Sequence, residues 1–395
     1  MSRIPITGIG VVAPGAIGVE AFRELLASGR TAVDTVDRFD TEGLSAHKAA
    51  LIRDFKPRDY IAPMKMRRMN GLSRLGVSAA KLAIEDCGAS LDPNSGVAIG
   101  TAFGPVQTSV EYMQEYVAKG AALAPPQLFA ESVANAPGSH IAIEWGLRGF
   151  NLTITQRESS ALAAAMYAAT QMIKGTVRAT LIGGVEEANE MLFSVLDRLG
   201  ALAHGVGELE EAARPFDDRR NGYALGEGGA MLVAGSGTRK PYGWLSGFGM
   251  RRDTTASVSD WGSDPDAIVA AMRAAIDDAE ISIDSVDAIY ASANGSIRGD
   301  AVEQRAIERL FGERIPPVSA VKGSFGEYAA GGALHLAAAM LAVDGQVLHA
   351  SPGFEKGTLP VVRETRKSEL RHVLVNSVSA GGGVVCAVVS REGVE

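Results

Sequence analysis

Short apolar runs alternate along this chain with longer stretches in which small and apolar residues recur at helical spacing. Ile4–Val12 reads as a strand and Glu20–Ser28 as a helix; Leu72–Asp86 reads as a helix leading to a strand at Gly96–Ile99. Leu181–Gly184, Gly229–Val233, Ala288–Ala291 and Val384–Val389 are further strand-like runs. Such alternation predicts an α/β fold.

The pattern also repeats. Ser159–Lys174 is a helix of small residues that stops at Gly175 and is followed by the apolar Ala179–Ile182. Gly331–Val343 is a second one, stopping at Gly345 before Val347 and Leu348. Each half closes on a glycine turn that opens a strand, Gly226-Glu227-Gly228-Gly229 in the first and Ala380-Gly381-Gly382-Gly383 in the second. This self-similarity predicts a duplicated unit, one half over residues 1–235 and the other over 236–395. Glycine and proline between Gly235 and Gly243 suit a linker at the seam. Helices so rich in alanine lack a polar side and are expected to be buried on most faces. Two of them packed between sheets give a layered sandwich of sheets and helices.

Composition narrows the class. The chain is 46% hydrophobic but only 6% aromatic, with 46 glycines in 395 residues, which suits layers that approach closely. No apolar run is long enough to cross a membrane. The first residues, Met1 to Ile6, lead straight into a strand, which argues against a secretory signal. Two cysteines cannot build a disulfide framework, so a reducing, cytoplasmic location is expected. A net charge of −8 without a basic stripe gives no reason to bind nucleic acid. The six histidines show no metal-ligand spacing, and neither metal nor cofactor is expected.

Several segments, taken in order, resemble the β-ketoacyl synthases of fatty acid and polyketide synthesis, members of the thiolase-fold superfamily. They are Ile6-Thr7-Gly8-Ile9-Gly10, Asn135-Ala136-Pro137-Gly138-Ser139-His140, Arg214-Pro215-Phe216-Asp217 and Arg220-Asn221-Gly222-Tyr223. Gly226-Glu227-Gly228, Lys322 to Gly326, and Asn376-Ser377 through Gly382 complete the series. The resemblance spans nearly the whole chain and implies a thiolase-like duplicated layered sandwich.

The departures from that pattern matter more. The family's chemistry uses a cysteine at a helix N-terminus, where the dipole stabilises its thiolate, and two histidines that stabilise developing negative charge. Counting back from Gly183-Gly184 puts Glu158 at the cysteine position; Asn294 and Glu327 stand where the histidines are expected. A carboxylate is a poor nucleophile towards a thioester. A glutamate there has a structural role open to it, accepting free N–H groups of the helix start, with Arg157 as a partner charge. Val378 and Ala380 replace the bulky aromatics that guard the family's cysteine. Cys87 and Cys386 read as small core residues, and His140 as a structural polar residue.

The resemblance therefore implies a silent chain-length-factor subunit paired with a catalytic ketosynthase. That heterodimer would elongate a polyketide or polyene chain on an acyl carrier protein. Thr108, Tyr112, Met113 and Tyr116, on a helix predicted over Thr108–Lys119, are the candidate tunnel residues, with plain core filling as the alternative. The strand before the nucleophile position, around Asn151–Thr155, is the implied dimer edge. An acidic carrier protein needs a basic patch, for which Lys65, Arg67 and Arg68 are candidates against the plainer reading of a solvated helix face. Two rivals stand beside this reading: a decarboxylase acting on malonyl carrier protein, and an acyl- or carrier-binding protein without a ketosynthase partner.

Overall fold

The computed structural model describes residues 3–392; Met1 and Ser2, the first two residues weighed against a secretory signal, lie outside them. Ten strands form one continuous path. In chain order they are β1 (Ile4–Ala13), β2 (Gly96–Gly100), β3 (Asn151–Ile154), β4 (Thr180–Glu186), β5 (Gly228–Ala234), β6 (Gly243–Arg252), β7 (Ala288–Tyr290), β8 (Val318–Ser319), β9 (His372–Val378) and β10 (Gly383–Ser390). The longer helices are α1 (Val19–Ser28), α2 (Gly71–Cys87), α3 (Val106–Lys119), α4 (Ala136–Trp145), α5 (Ser160–Ile173), α6 (Glu190–Arg198), α7 (Pro265–Asp278), α8 (Ile297–Phe311) and α9 (Ala333–Gly345).

The strand order is β8-β7-β9-β10-β6-β1-β5-β4-β2-β3. Outward from β1 the pairings run antiparallel to β5, antiparallel to β4, then parallel to β2 and β3. Outward from β6 they run antiparallel to β10, antiparallel to β9, then parallel to β7 and β8. The two series are identical. They join where Ile4–Ile6 of β1 pair with Gly243–Leu245 of β6.

Strict two-residue alternation sorts the side chains into layers. Val385, Ala387 and Val389 of β10 face the central layer, with Ile4, Ile6, Leu232, Val373 and Val375 and the alanine-rich α5 and α9. Val384, Cys386 and Val388 face α7 and α8 on one outer side. Val97, Ile99, Leu181 and Val233 face α2 on the other. The order is thus helices, sheet, helices, sheet, helices, and α5 and α9 are the helices buried between sheets. Small residues are obligatory here: a Cβ at Gly8 or Gly10 would strike the main-chain carbonyls of Ala83 and Ala79 in α2.

Some boundaries differ from expectation. The second alanine-rich helix starts at Ala333 instead of Gly331, because Ala330, Gly331 and Gly332 all have left-handed φ (53°, 56° and 88°) and cannot continue a helix. The predicted Thr108–Lys119 helix begins two residues earlier, at Val106. Among the described residues no helix is long and apolar enough to cross a membrane.

Candidate functional site

The ends of β4, β7 and β9 and the starts of α5 and α9 converge on one buried cluster. Before α5 the chain makes a tight turn, Arg157–Ser159, with Arg157 at φ +51°. This turn carries Glu158 into the interior, where it is 1% exposed. Asn294 and Glu327 are 2% and 1% exposed, and the Asn294 Nδ2 group donates to Glu327 Oε2 at 2.7 Å. The same oxygen takes Lys322 Nζ at 2.7 Å in a fully buried ion pair, while Glu327 Oε1 accepts the Tyr328 N–H at 2.7 Å. Tyr328, at φ +65°, donates its hydroxyl to Glu158 Oε1 at 2.9 Å and so links the two carboxylates. The three positions singled out from the sequence therefore belong to one hydrogen-bonded chain.

Glu158 differs from its expected role. Apart from its own N–H, its carboxylate takes partners from two distant loops, Tyr328 and the Ala380 N–H (3.1 Å), instead of the first turn of α5. Its carbonyl accepts from Ser377 Oγ, and Ser159 is bonded to Ser379 Oγ. Arg157 does not pair with Glu158: its guanidinium lies over the Phe103 ring and donates to the Val258 carbonyl. The loop at Ala380 is held further by the Gly381 N–H to Asp260 and by the Asp253 N–H to Gly382. A cleft of about 360 Å³ between Trp261, Arg298, Asn221 and Tyr223 ends on Tyr328 and Ala380, the residues that cover Glu158.

Burial, followed by the nearby charge of Glu327, pushes the Glu158 carboxyl up to about 7. Burial raises Glu187 and Glu303 to about 7 as well, and Glu186 to about 8. The folded state thus keeps protons that the unfolded chain releases in the ordinary carboxylate range, near pH 4.5. The contribution is whole below that range and is lost as pH rises through about 7. The apparent melting temperature is expected to fall from pH 5 to pH 8, with a shallower fall in Glu158→Gln. Equal slopes in thermal melts of the two proteins would remove Glu158 from this account.

The remaining candidates sort plainly. Cys87 and Cys386 are buried, free, and raised by burial, so neither is poised as a thiolate. His140 bonds Glu131 at 2.9 Å. Lys65, Arg67 and Arg68 are exposed around the short helix Pro63–Met66, with Lys65 bound to Glu144. On α3, Thr108 is buried, and Tyr112 packs against Tyr116 and Phe129. Met113 lies on a different face, 52% exposed, and Tyr116 is 40% exposed, so neither of these two fills a core. Lys322, Tyr223 and Tyr328 are not legible as site residues in the sequence: Lys322 and Tyr223 lie inside family-like segments, but nothing in the string shows that the Lys322 ammonium is buried.

Known proteins agree with this architecture. The 3-oxoacyl-[acyl-carrier-protein] synthase 2 of Vibrio harveyi is 27% identical over 96% of this chain and 96% of its own length. The ketoacyl synthase β subunit of the tetracenomycin polyketide synthase from Streptomyces glaucescens is 27% identical over 99% and 98%. The solved ishigamide ketosynthase/chain length factor superposes with a TM-score of 0.90 at 25% identity, covering 99% of this chain and 100% of the solved one. The β-ketoacyl synthase N-terminal domain model matches residues 1–236 and the C-terminal domain model residues 242–355, so the chain belongs to the β-ketoacyl synthase family.

Proposed function

We propose that this chain is a non-catalytic chain-length-factor subunit. It pairs with a cysteine-bearing ketosynthase and shapes the acyl tunnel into which that partner extends a chain carried by an acyl carrier protein. One observation carries the reading: Glu158, Asn294 and Glu327, at the family's cysteine and histidine positions, are locked to one another through Tyr328 and Lys322. A carboxylate sealed behind Tyr328 and Ala380 has no approach for a thioester. Its relatives include a ketoacyl synthase β subunit and a solved ketosynthase/chain length factor, which supports the paired role.

Purified alone with acyl and malonyl carrier proteins, the chain is expected to give no elongated product. Glu158→Cys is expected to stay inactive too, because a thiol there has neither family histidine to assist it. Product from the cysteine variant would sink the reading. Release of carbon dioxide from malonyl carrier protein would favour the decarboxylase instead. A stable homodimer retaining acyl ligand would favour the binding protein.

A further inference from the structure

A second cleft, of about 490 Å³, opens where three helices begin. Gly71 and Arg74 from the start of α2, Gln107 from that of α3, and Asn189 and Glu190 at the start of α6 line it. The positive ends of three helix dipoles therefore meet at one place. Glu158, Asn294, Glu327 and Tyr328 do not line this cleft, and neither does any candidate tunnel residue.

The carboxyl groups of the cleft are already provided for. Glu227 accepts two N–H groups of Arg38, at 2.8 and 2.7 Å, and the N–H groups of Ile52 and Ala188. Glu187 is buried and accepts the Gln107 N–H at 2.8 Å; burial pushes it up to about 7, so below that pH it brings no charge. Glu190 is exposed to water.

The donors are not provided for. Asn189 is 7% exposed; its Oδ1 caps α6 by accepting the Leu192 N–H at 2.8 Å, and its buried Nδ2 has no partner. Arg74, half-buried, forms no ion pair among the described residues. One of its N–H groups reaches the Met66 carbonyl at 3.3 Å, and its buried Nε is without an acceptor. Native interiors seldom leave polar groups unsatisfied, and an amide and a guanidinium left so in one cleft call for an acceptor from outside the chain.

The rest of the wall is apolar, with Phe39, Ile52, Phe55, Pro57 and Leu75. The volume suits a small organic molecule more than a bare ion. One unpaired cation matches a monoanion, whereas a phosphate dianion would bring a second charge against Glu190 and the already satisfied Arg38–Glu227 pair.

We propose that the cleft at the starts of α2, α3 and α6 binds a small organic carboxylate, whose oxygens accept from Arg74 and the Asn189 amide while its apolar body lies against Phe39, Phe55 and Leu75. Charge-assisted bonds from a planar guanidinium to a carboxylate supply both attraction and orientation. The site stands apart from the Glu158 cluster and does not depend on pairing with a ketosynthase.

The test uses the full chain at about pH 6, where Glu187 keeps its proton, and saturation-transfer NMR with phenylacetate as the probe. Phenylacetamide, of the same shape without the charge, is expected to bind at least about tenfold more weakly, and inorganic phosphate is expected not to displace the acid. Arg74→Gln is expected to weaken phenylacetate at least about tenfold, and Asn189→Asp, which keeps the cap on α6 and removes the amide donor, several-fold. Arg298→Gln, in the cleft that ends on Tyr328, is expected to change nothing. Circular dichroism checks that each variant is folded; if Arg74→Gln is not, Asn189→Asp decides. No transfer to phenylacetate at about 10 mM, equal binding of acid and amide, or unchanged affinity in the deciding variant overturns the proposal. Displacement by phosphate at equal concentration overturns the ligand class, and a loss confined to Arg298→Gln overturns the location.

Discussion

Lys322→Met is expected to destabilise the chain by about 3–5 kcal/mol, the usual cost of leaving one member of a buried ion pair without its partner. In the native chain Glu327 holds a full set of donors, Lys322, Asn294 and the Tyr328 N–H, in a site where Lys322 and Glu327 are 2% and 1% exposed. Without the ammonium, the remaining two neutral donors cannot compensate the charge. Total stabilities are only about 5–15 kcal/mol, so soluble yield and denaturant midpoint should both drop sharply. Lys322→Met combined with Glu327→Gln is expected to recover much of the loss, because glutamine keeps an acceptor for Asn294 or Tyr328 and removes the charge. A single variant within about 1 kcal/mol of the unaltered chain would mean that the pair does not hold the loop.

Under the proposed pairing, Thr153→Pro is expected to abolish the complex with the ketosynthase while leaving this chain folded. At the far edge of the second sheet, β8 is covered: Val318 N–H donates to Pro360, and Val362 N–H donates to Val318. The other edge, β3, ends the strand order with no partner beyond it among the described residues. Val97 and Thr101 donate to the carbonyls of Phe150 and Ile154, so the even positions of this parallel ladder bond to β2. The N–H groups of Asn151 and Thr153 then point outwards, available for a partner's strand. Proline at 153 removes one of those donors without touching the ladder to β2. Thr153→Val, which keeps the N–H, serves as the control. Obligate interfaces of this kind bury more than about 2,000 Å², so loss of register at the edge should release the partner altogether. Undiminished co-purification of the proline variant would place the interface elsewhere.

The layered architecture was legible because its signals are local. Val384–Val389 is a short β-branched apolar run that suits a strand buried on both faces, and its side chains do alternate between two apolar layers, while the alanines of α5 and α9 announce helices without a polar side. The positions of Glu158, Asn294 and Glu327 were legible through family spacing, and they do fall into one buried cluster. Their bonding was not legible. Arg157 neighbours Glu158 in sequence, but the left-handed turn swings its guanidinium to Phe103. Glu158 finds Tyr328 and Ala380 only because loops from distant parts of the chain meet there. Of the candidate tunnel residues, Met113 lies seven residues from Val106 and shares its stripe on α3, while Tyr112 packs towards Tyr116 and Phe129 on a neighbouring face.

The position of β1 governs how the polypeptide must be made. It is synthesised first, yet Ile6 has to wait for Ala234 and Ile4 for Leu245 before either has a paired strand beside it. At about 5–20 residues per second, the ribosome leaves this apolar strand without its final partners for on the order of ten seconds or more. Until β5 is made, nothing joins β1 to the β4-β2-β3 ladder, so the sheet closes across β1 only after most of the chain before Gly243 has been synthesised.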